Sequence, residues 1–102
     1  MKQTLERILN QLADAPGESI VYLRFDYSNN GVRQAIEFLC HVPNVTHPIT
    51  IALTPPEYDA LKTALPVPDF HGYAYEKSPK VGLDDLTSFY KKLVLDELIN
   101  EL

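Results

Sequence analysis

Two segments of alternating polarity flank Asn30-Gly31, and together they leave few folds open to this chain. In SIVYLRFDY, residues 19–27, Val21, Leu23 and Phe25 alternate with Tyr22, Arg24 and Asp26. That is the period of a strand with one buried face. The second segment, VRQAIEFLCHV at 32–42, is ambiguous alone, because Val32, Ala35, Ile36 and Leu39 also satisfy a helical stripe. A two-residue type I′ turn at Asn30-Gly31 resolves it as a strand. In that register Phe25 faces Ile36, Leu23 faces Phe38 and Val21 faces Cys40 on one side, while Arg24 faces Glu37 on the other. One turn thus produces an apolar face and a cross-strand charge pair together, so a hairpin is expected.

The elements around the hairpin follow from periodicity and capping. Leu5, Ile8, Leu9 and Leu12 fall at helical spacing and predict an amphipathic helix over 2–14, with Thr4 as an early cap and Pro16-Gly17 as its stop. After a loop at 43–48, Ile49 to Leu53 reads as a short apolar strand. The next residues, Thr54-Pro55-Pro56-Glu57-Tyr58, contain the Pro-Pro-x-Tyr pattern that WW domains bind in extended form. They also form a helix start: Thr54 caps, two prolines occupy the first turn where an N–H is dispensable, and Glu57 completes a Thr-x-x-Glu box. Leu53 and Tyr58 then close a hydrophobic staple. Agreement of several local rules favours the helix, which Tyr58, Leu61 and Leu65 continue and Pro66 ends. A Tyr-bearing strand is expected at 71–77, a loop at 78–82 and a final helix at 83–102, with Asp84 and Asp85 at its positive end. The order α-β-β-β-α-β-α, without repeats or long linkers, predicts one α+β domain over residues 1–102, a small mainly antiparallel sheet of three to four strands with helices packed on one face.

Charge and composition narrow the function classes. Fourteen acidic against nine basic residues give a net charge of −5, and the basic residues are scattered, which argues against nucleic-acid binding. No apolar run reaches the ~20 residues of a membrane span, so no membrane role is expected. Cys40 is the single cysteine, so no internal disulfide forms, and the charged, amphipathic start does not read as a signal peptide. The expected location is cytoplasmic, and the Asn44-Val45-Thr46 glycosylation triplet is read as a coincidence.

Chemistry-bearing residues do not converge in the sequence. Phosphate-binding glycine loops, metalloprotease pairs and nucleophile elbows are all missing. Cys40, His41, His47 and His71 could in principle serve zinc or thiolate chemistry, but neighbours on a strand point to opposite faces, so Cys40 and His41 do not share one site. Asp26, Glu37, Asp69 and Glu76 show no spacing that pairs two carboxylates in a cleft. Neither a catalytic group, a metal nor a cofactor is expected, and the chain reads as non-enzymatic.

Binding surfaces are better supported. On the second face of the hairpin Tyr22 and Leu39 lie beside Arg24, and the last strand adds Tyr73 and Tyr75, a Tyr and Arg composition found at binding hot spots. The same side chains serve as core if another element covers that face. The final helix carries two apolar stripes: Leu86, Phe89, Tyr90 and Leu93, and nearly opposite, Leu95, Leu98, Ile99 and Leu102. A straight helix at the edge of a small domain buries one of them. Either it bends near Val94, or the second stripe needs a partner, and the partner is favoured. The resulting expectation is a small acidic protein-binding module (inhibitor, immunity-type, adaptor or chaperone-like) that forms a homodimer or a heterocomplex through its C-terminal helix. The alternative is a small enzyme or ligand-binding protein with a pocket near His71, Tyr73 and Tyr75.

Overall fold

The computed structural model describes residues 1–27, 33–65, 67–70 and 80–101. Its elements are α1 (Lys2–Gln11), β1 (Ile20–Tyr27), β2 (Arg33–His41), β3 (Ile49–Ala52), α2 (Pro55–Ala64), β4 (Asp69–Phe70), β5 (Val81–Gly82) and α3 (Leu83–Glu101). The result is an α+β fold, a mainly antiparallel sheet with helices packed against it.

The hairpin has the register that alternation predicts. Val21 pairs with Cys40, Leu23 with Phe38, Arg24 with Glu37 and Phe25 with Ile36. Residues 33–41 are therefore strand and not helix: on a strand Phe38, Cys40 and Ile36 all reach the core, which no single helical stripe would allow. The pairing slips by one residue between Asp26 and Tyr27, and the Asn30-Gly31 turn lies outside the described residues. Arg24 and Glu37 stand opposite one another in that register.

The sheet runs β3-β2-β1-β4. The fourth position is shared, since β4 pairs parallel to β1 at Leu23 and Arg24, and β5 pairs antiparallel to it at Ile20 and Val21. Val81 and Gly82, expected in a loop, are thus strand, because they satisfy the start of β1's outer edge just before α3 begins. Of the strand expected at 71–77 nothing falls within the described residues; Asp69 and Phe70 immediately before it are strand.

Local capping places the helices. Around Thr54, the hydroxyl accepts from the Glu57 N–H at 3.3 Å and the Glu57 carboxylate accepts from the Thr54 N–H at 2.9 Å, the reciprocal box expected of Thr-x-x-Glu. Tyr58 is fully buried and Leu53 nearly so, which removes the Pro-Pro-x-Tyr tyrosine from any peptide-binding partner. In α1 the cap is Met1, not Thr4; Thr4 lies inside the helix and its hydroxyl donates to Glu57. The α1 helix ends at Gln11, three residues early, and closes through turns from Leu12 to Ala15. At the start of α3 the backbone N–H groups of Leu83 and Asp84 donate to the carbonyls of Ser19 and Gly17, at 2.7 and 3.1 Å. Two of the donors that a helix start leaves open are thereby satisfied by the segment leading into β1.

One cluster forms the core. Leu5, Ile8 and Leu12 of the α1 segment, Tyr58 and Leu61 of α2, and Leu83 and Leu86 of α3 meet Val21, Leu23, Phe38, Cys40 and Ile51 of the sheet.

Candidate interaction surface

The α3 helix runs uninterrupted from Leu83 to Glu101, so the two stripes along it have different fates. Leu86 is buried, and Phe89, Tyr90 and Leu93 are packed against the core. On the other side Leu95, Leu98 and Ile99 are 56%, 55% and 57% exposed. Leu102, the fourth member expected, lies outside the described residues.

The orientation of α3 is set by α1, which runs antiparallel to it. Tyr90 donates its hydroxyl to Glu6 at 2.7 Å, and Lys2 pairs with Glu97 at 2.9 Å. The hydrogen bond to Glu6 is the main cause that holds the Tyr90 hydroxyl above its ordinary pKa, and the bond to Glu97 raises that of Lys2. With Lys2 at the level of Glu97, the first turn of α1 is level with the last turn but one of α3. Leu98 and Ile99 come after that level.

The other candidate face is differently placed. Tyr22 and Leu39, opposite one another in the hairpin, are 4% and 2% exposed and belong to the core. The Tyr22 hydroxyl is 2.8 Å from His41 Nε2, and the two rings stack with centroids 5.4 Å apart. Arg24 is half-buried. His71, Tyr73 and Tyr75 lie outside the described residues. Sequence alternation places Tyr22 and His41 on one side of the hairpin, yet the diagonal contact that joins them depends on sheet twist and is not legible from spacing.

The remaining groups do not assemble a reaction centre among the described residues. Cys40 is fully buried, and burial pushes its thiol above the usual range, away from the reactive thiolate. His47 is exposed in the loop after β2. No group of three or more His, Cys, Asp or Glu side chains is set to hold a metal among the described residues. Between the end of α1 and the start of α3 lies an open cleft of about 280 Å³, lined by Leu9, Leu12, Ala15, Leu83, Asp84 and Thr87 among others. Its hydroxyl, that of Thr87, is committed to the Leu83 carbonyl at 3.1 Å. A single carboxylate remains, without a base, acid or nucleophile beside it.

A connection invisible in the sequence joins the first helix to the second. Glu57 Oε2 accepts from Arg7 Nη2 at 2.8 Å and from the Thr4 hydroxyl at 3.0 Å, while its other oxygen caps Thr54. Separations of about fifty positions carry no periodic signal.

No helix among the described residues is long and apolar enough to cross a membrane. No protein-family model matches the chain, and no curated protein or solved structure is significantly similar to it.

Proposed function

We propose that this chain is a non-enzymatic protein-binding module, of the inhibitor, immunity, adaptor or chaperone-like kind, whose docking surface is the distal half of α3. The observation that carries the reading is the row Leu95, Leu98 and Ile99, each more than half exposed on one side of a helix whose other side is packed. Large aliphatics exposed singly are ordinary, but a contiguous row on a rigid helix marks a surface that another protein covers. A net charge of −5 with dispersed cations supports a protein partner over a nucleic acid. A single cysteine, buried as a free thiol, is compatible with the cytoplasm as the place of action.

The test is affinity purification from the native host with the wild type and with Leu98→Asp combined with Ile99→Lys. Both positions are exposed, so the variant keeps its fold, which circular dichroism verifies. A stoichiometric protein held by the wild type and lost from the variant is expected. Retention of the same partner by both would overturn the assignment of the surface.

A further inference from the structure

The open cleft between the end of α1 and the start of α3 offers hydrogen-bond acceptors while the donors around it are spent. The Thr87 hydroxyl gives its proton to the Leu83 carbonyl, and its oxygen keeps acceptor capacity. The Asp84 carboxylate lines the same wall one turn earlier, and a Cβ at Gly17 would collide with it. The backbone N–H groups of Leu83 and Asp84, which at a helix start would draw an anion, already donate to Ser19 and Gly17. Those of Leu12, Ala13 and Ala15 are likewise used in the turns that close α1. Charge points the same way. Residues 8–19 and 81–90, the two segments that build the cleft, contain Asp14, Glu18, Asp84 and Asp85, all exposed, and neither lysine nor arginine. Arg7, just before the first segment, is held by Glu57, and Lys80 and Lys91 lie outside both. The negative end of α1 comes here, with no basic residue in its last turn. The positive end of α3, about half a charge, is outweighed by the two carboxylates of its first turn.

We infer that this cleft is a binding site for a small organic cation, a primary ammonium carried on a hydrocarbon body. The ammonium has three donors and no acceptor, the complement of the Asp84 carboxylate and the Thr87 oxygen. Its hydrocarbon covers Leu9, Leu12 and Leu83. An anion would meet carboxylates, and a neutral apolar molecule would desolvate Asp84 without pairing it. A metal ion fits less well, because it needs several oxygen ligands and no group of three or more His, Cys, Asp or Glu side chains converges among the described residues. At about 280 Å³ the cleft falls just below the range that holds drug-sized ligands, so its occupant is small and weakly bound, in the millimolar range. The site is separate from the docking surface above: Asp84 and Leu95 lie about 16 Å apart along α3.

NMR titration of the purified full chain with n-hexylammonium chloride at constant ionic strength tests this, with hexan-1-ol and hexanoate as neutral and anionic controls. Saturable shifts centred on Leu9, Leu12, Leu83 and Thr87 are expected with the ammonium, at a Kd of about 1–10 mM. The two controls should bind at least about fivefold more weakly. Asp84→Asn replaces an exposed side chain by one of the same shape, and the rest of its spectrum verifies the fold. This variant should weaken hexylammonium about fivefold and leave hexan-1-ol unchanged. Absence of saturation up to about 50 mM overturns the inference, as does hexan-1-ol binding as tightly as the ammonium in the wild type. Unchanged affinity in Asp84→Asn overturns it too, and so do shifts centred on Leu95, Leu98 and Ile99, which would place the amine on the docking surface instead. Leu98→Asp with Ile99→Lys should leave hexylammonium binding as in the wild type, so the cleft and the docking surface stand or fall separately.

Discussion

The carboxylate of Glu57 in α2 lies 2.8 Å from the guanidinium of Arg7 in α1, fifty positions earlier, and the same carboxylate closes the cap of its own helix. Glu57 is thereby held at a pKa of about 2, below its ordinary 4.5, first through the Thr54 backbone N–H and then through Arg7 and Thr4, against a burial effect of opposite sign. A carboxylate whose folded pKa is depressed binds fewer protons folded than unfolded, so its contribution is complete above the unfolded value and declines as pH falls toward the folded one. Stability should therefore decline between about pH 4.5 and pH 2. With the side chain 23% exposed, screening reduces the contribution to about 1–2 kcal/mol. Urea unfolding across this window, compared with Glu57→Gln, measures it: the variant should be less stable at neutral pH and should lose less on acidification. Parallel pH curves for the two proteins would contradict the assignment.

Thr54 is the reciprocal half of that box. Thr54→Ala should lower stability by about 1 kcal/mol and Thr54→Ser should recover most of it, because only the hydroxyl acceptor for the Glu57 N–H is at stake. Thermal unfolding of the three proteins decides this.

Tyr58 is fully buried beside Leu61 at the base of α2, with the Lys62 ammonium 5.8 Å from its ring centroid. Replacing it with alanine removes a large core side chain and should cost about 3 kcal/mol or more. The folded chain should also show no binding to a WW domain in isothermal titration, despite carrying Pro55-Pro56-Glu57-Tyr58. A stable Tyr58→Ala protein that loses WW binding would restore the linear-motif reading.

His41 accepts or donates at 2.8 Å to the Tyr22 hydroxyl, and burial lowers its pKa below the ordinary 6.5. A histidine depressed in the fold favours its neutral form there, so its contribution is complete above pH 6.5 and declines as pH falls through the folded value. NMR titration should place the His41 midpoint below 6.5, and Tyr22→Phe should move it, because the hydroxyl that faces Nε2 is removed. A midpoint at or above 6.5 would show that the ring is better solvated than its packing implies.

The two stripes of α3 should differ sharply in unfolding experiments. Leu86→Ala empties a core position and should cost about 2–4 kcal/mol. Leu98→Asp with Ile99→Lys should change stability by about 0.5 kcal/mol or less. A large loss from the exposed pair would mean that these leucines support the fold itself.

Local chemistry made part of this molecule readable from the chain alone. Alternation from Ile20 to Phe25 and from Ile36 to Cys40 dictates the hairpin register, because a one-residue slip would turn every apolar side chain to the wrong face. The Thr54 to Tyr58 stretch dictates a helix start, since each of its groups satisfies a backbone need within four residues. The two stripes of α3 were visible as angles on a helix, but which one faces inward depended on where α1 docks, through Tyr90 with Glu6 and Lys2 with Glu97. Tertiary structure likewise decided that β4 joins β1 in parallel, that Tyr22 and Leu39 are core, and that Thr4 serves Glu57 and caps nothing. The physical division is one of range. Capping and alternation are set by residues a few positions apart, whereas burial of a given side chain and the pairing of Arg7 with Glu57 depend on chain segments about fifty positions apart being brought together by the common core.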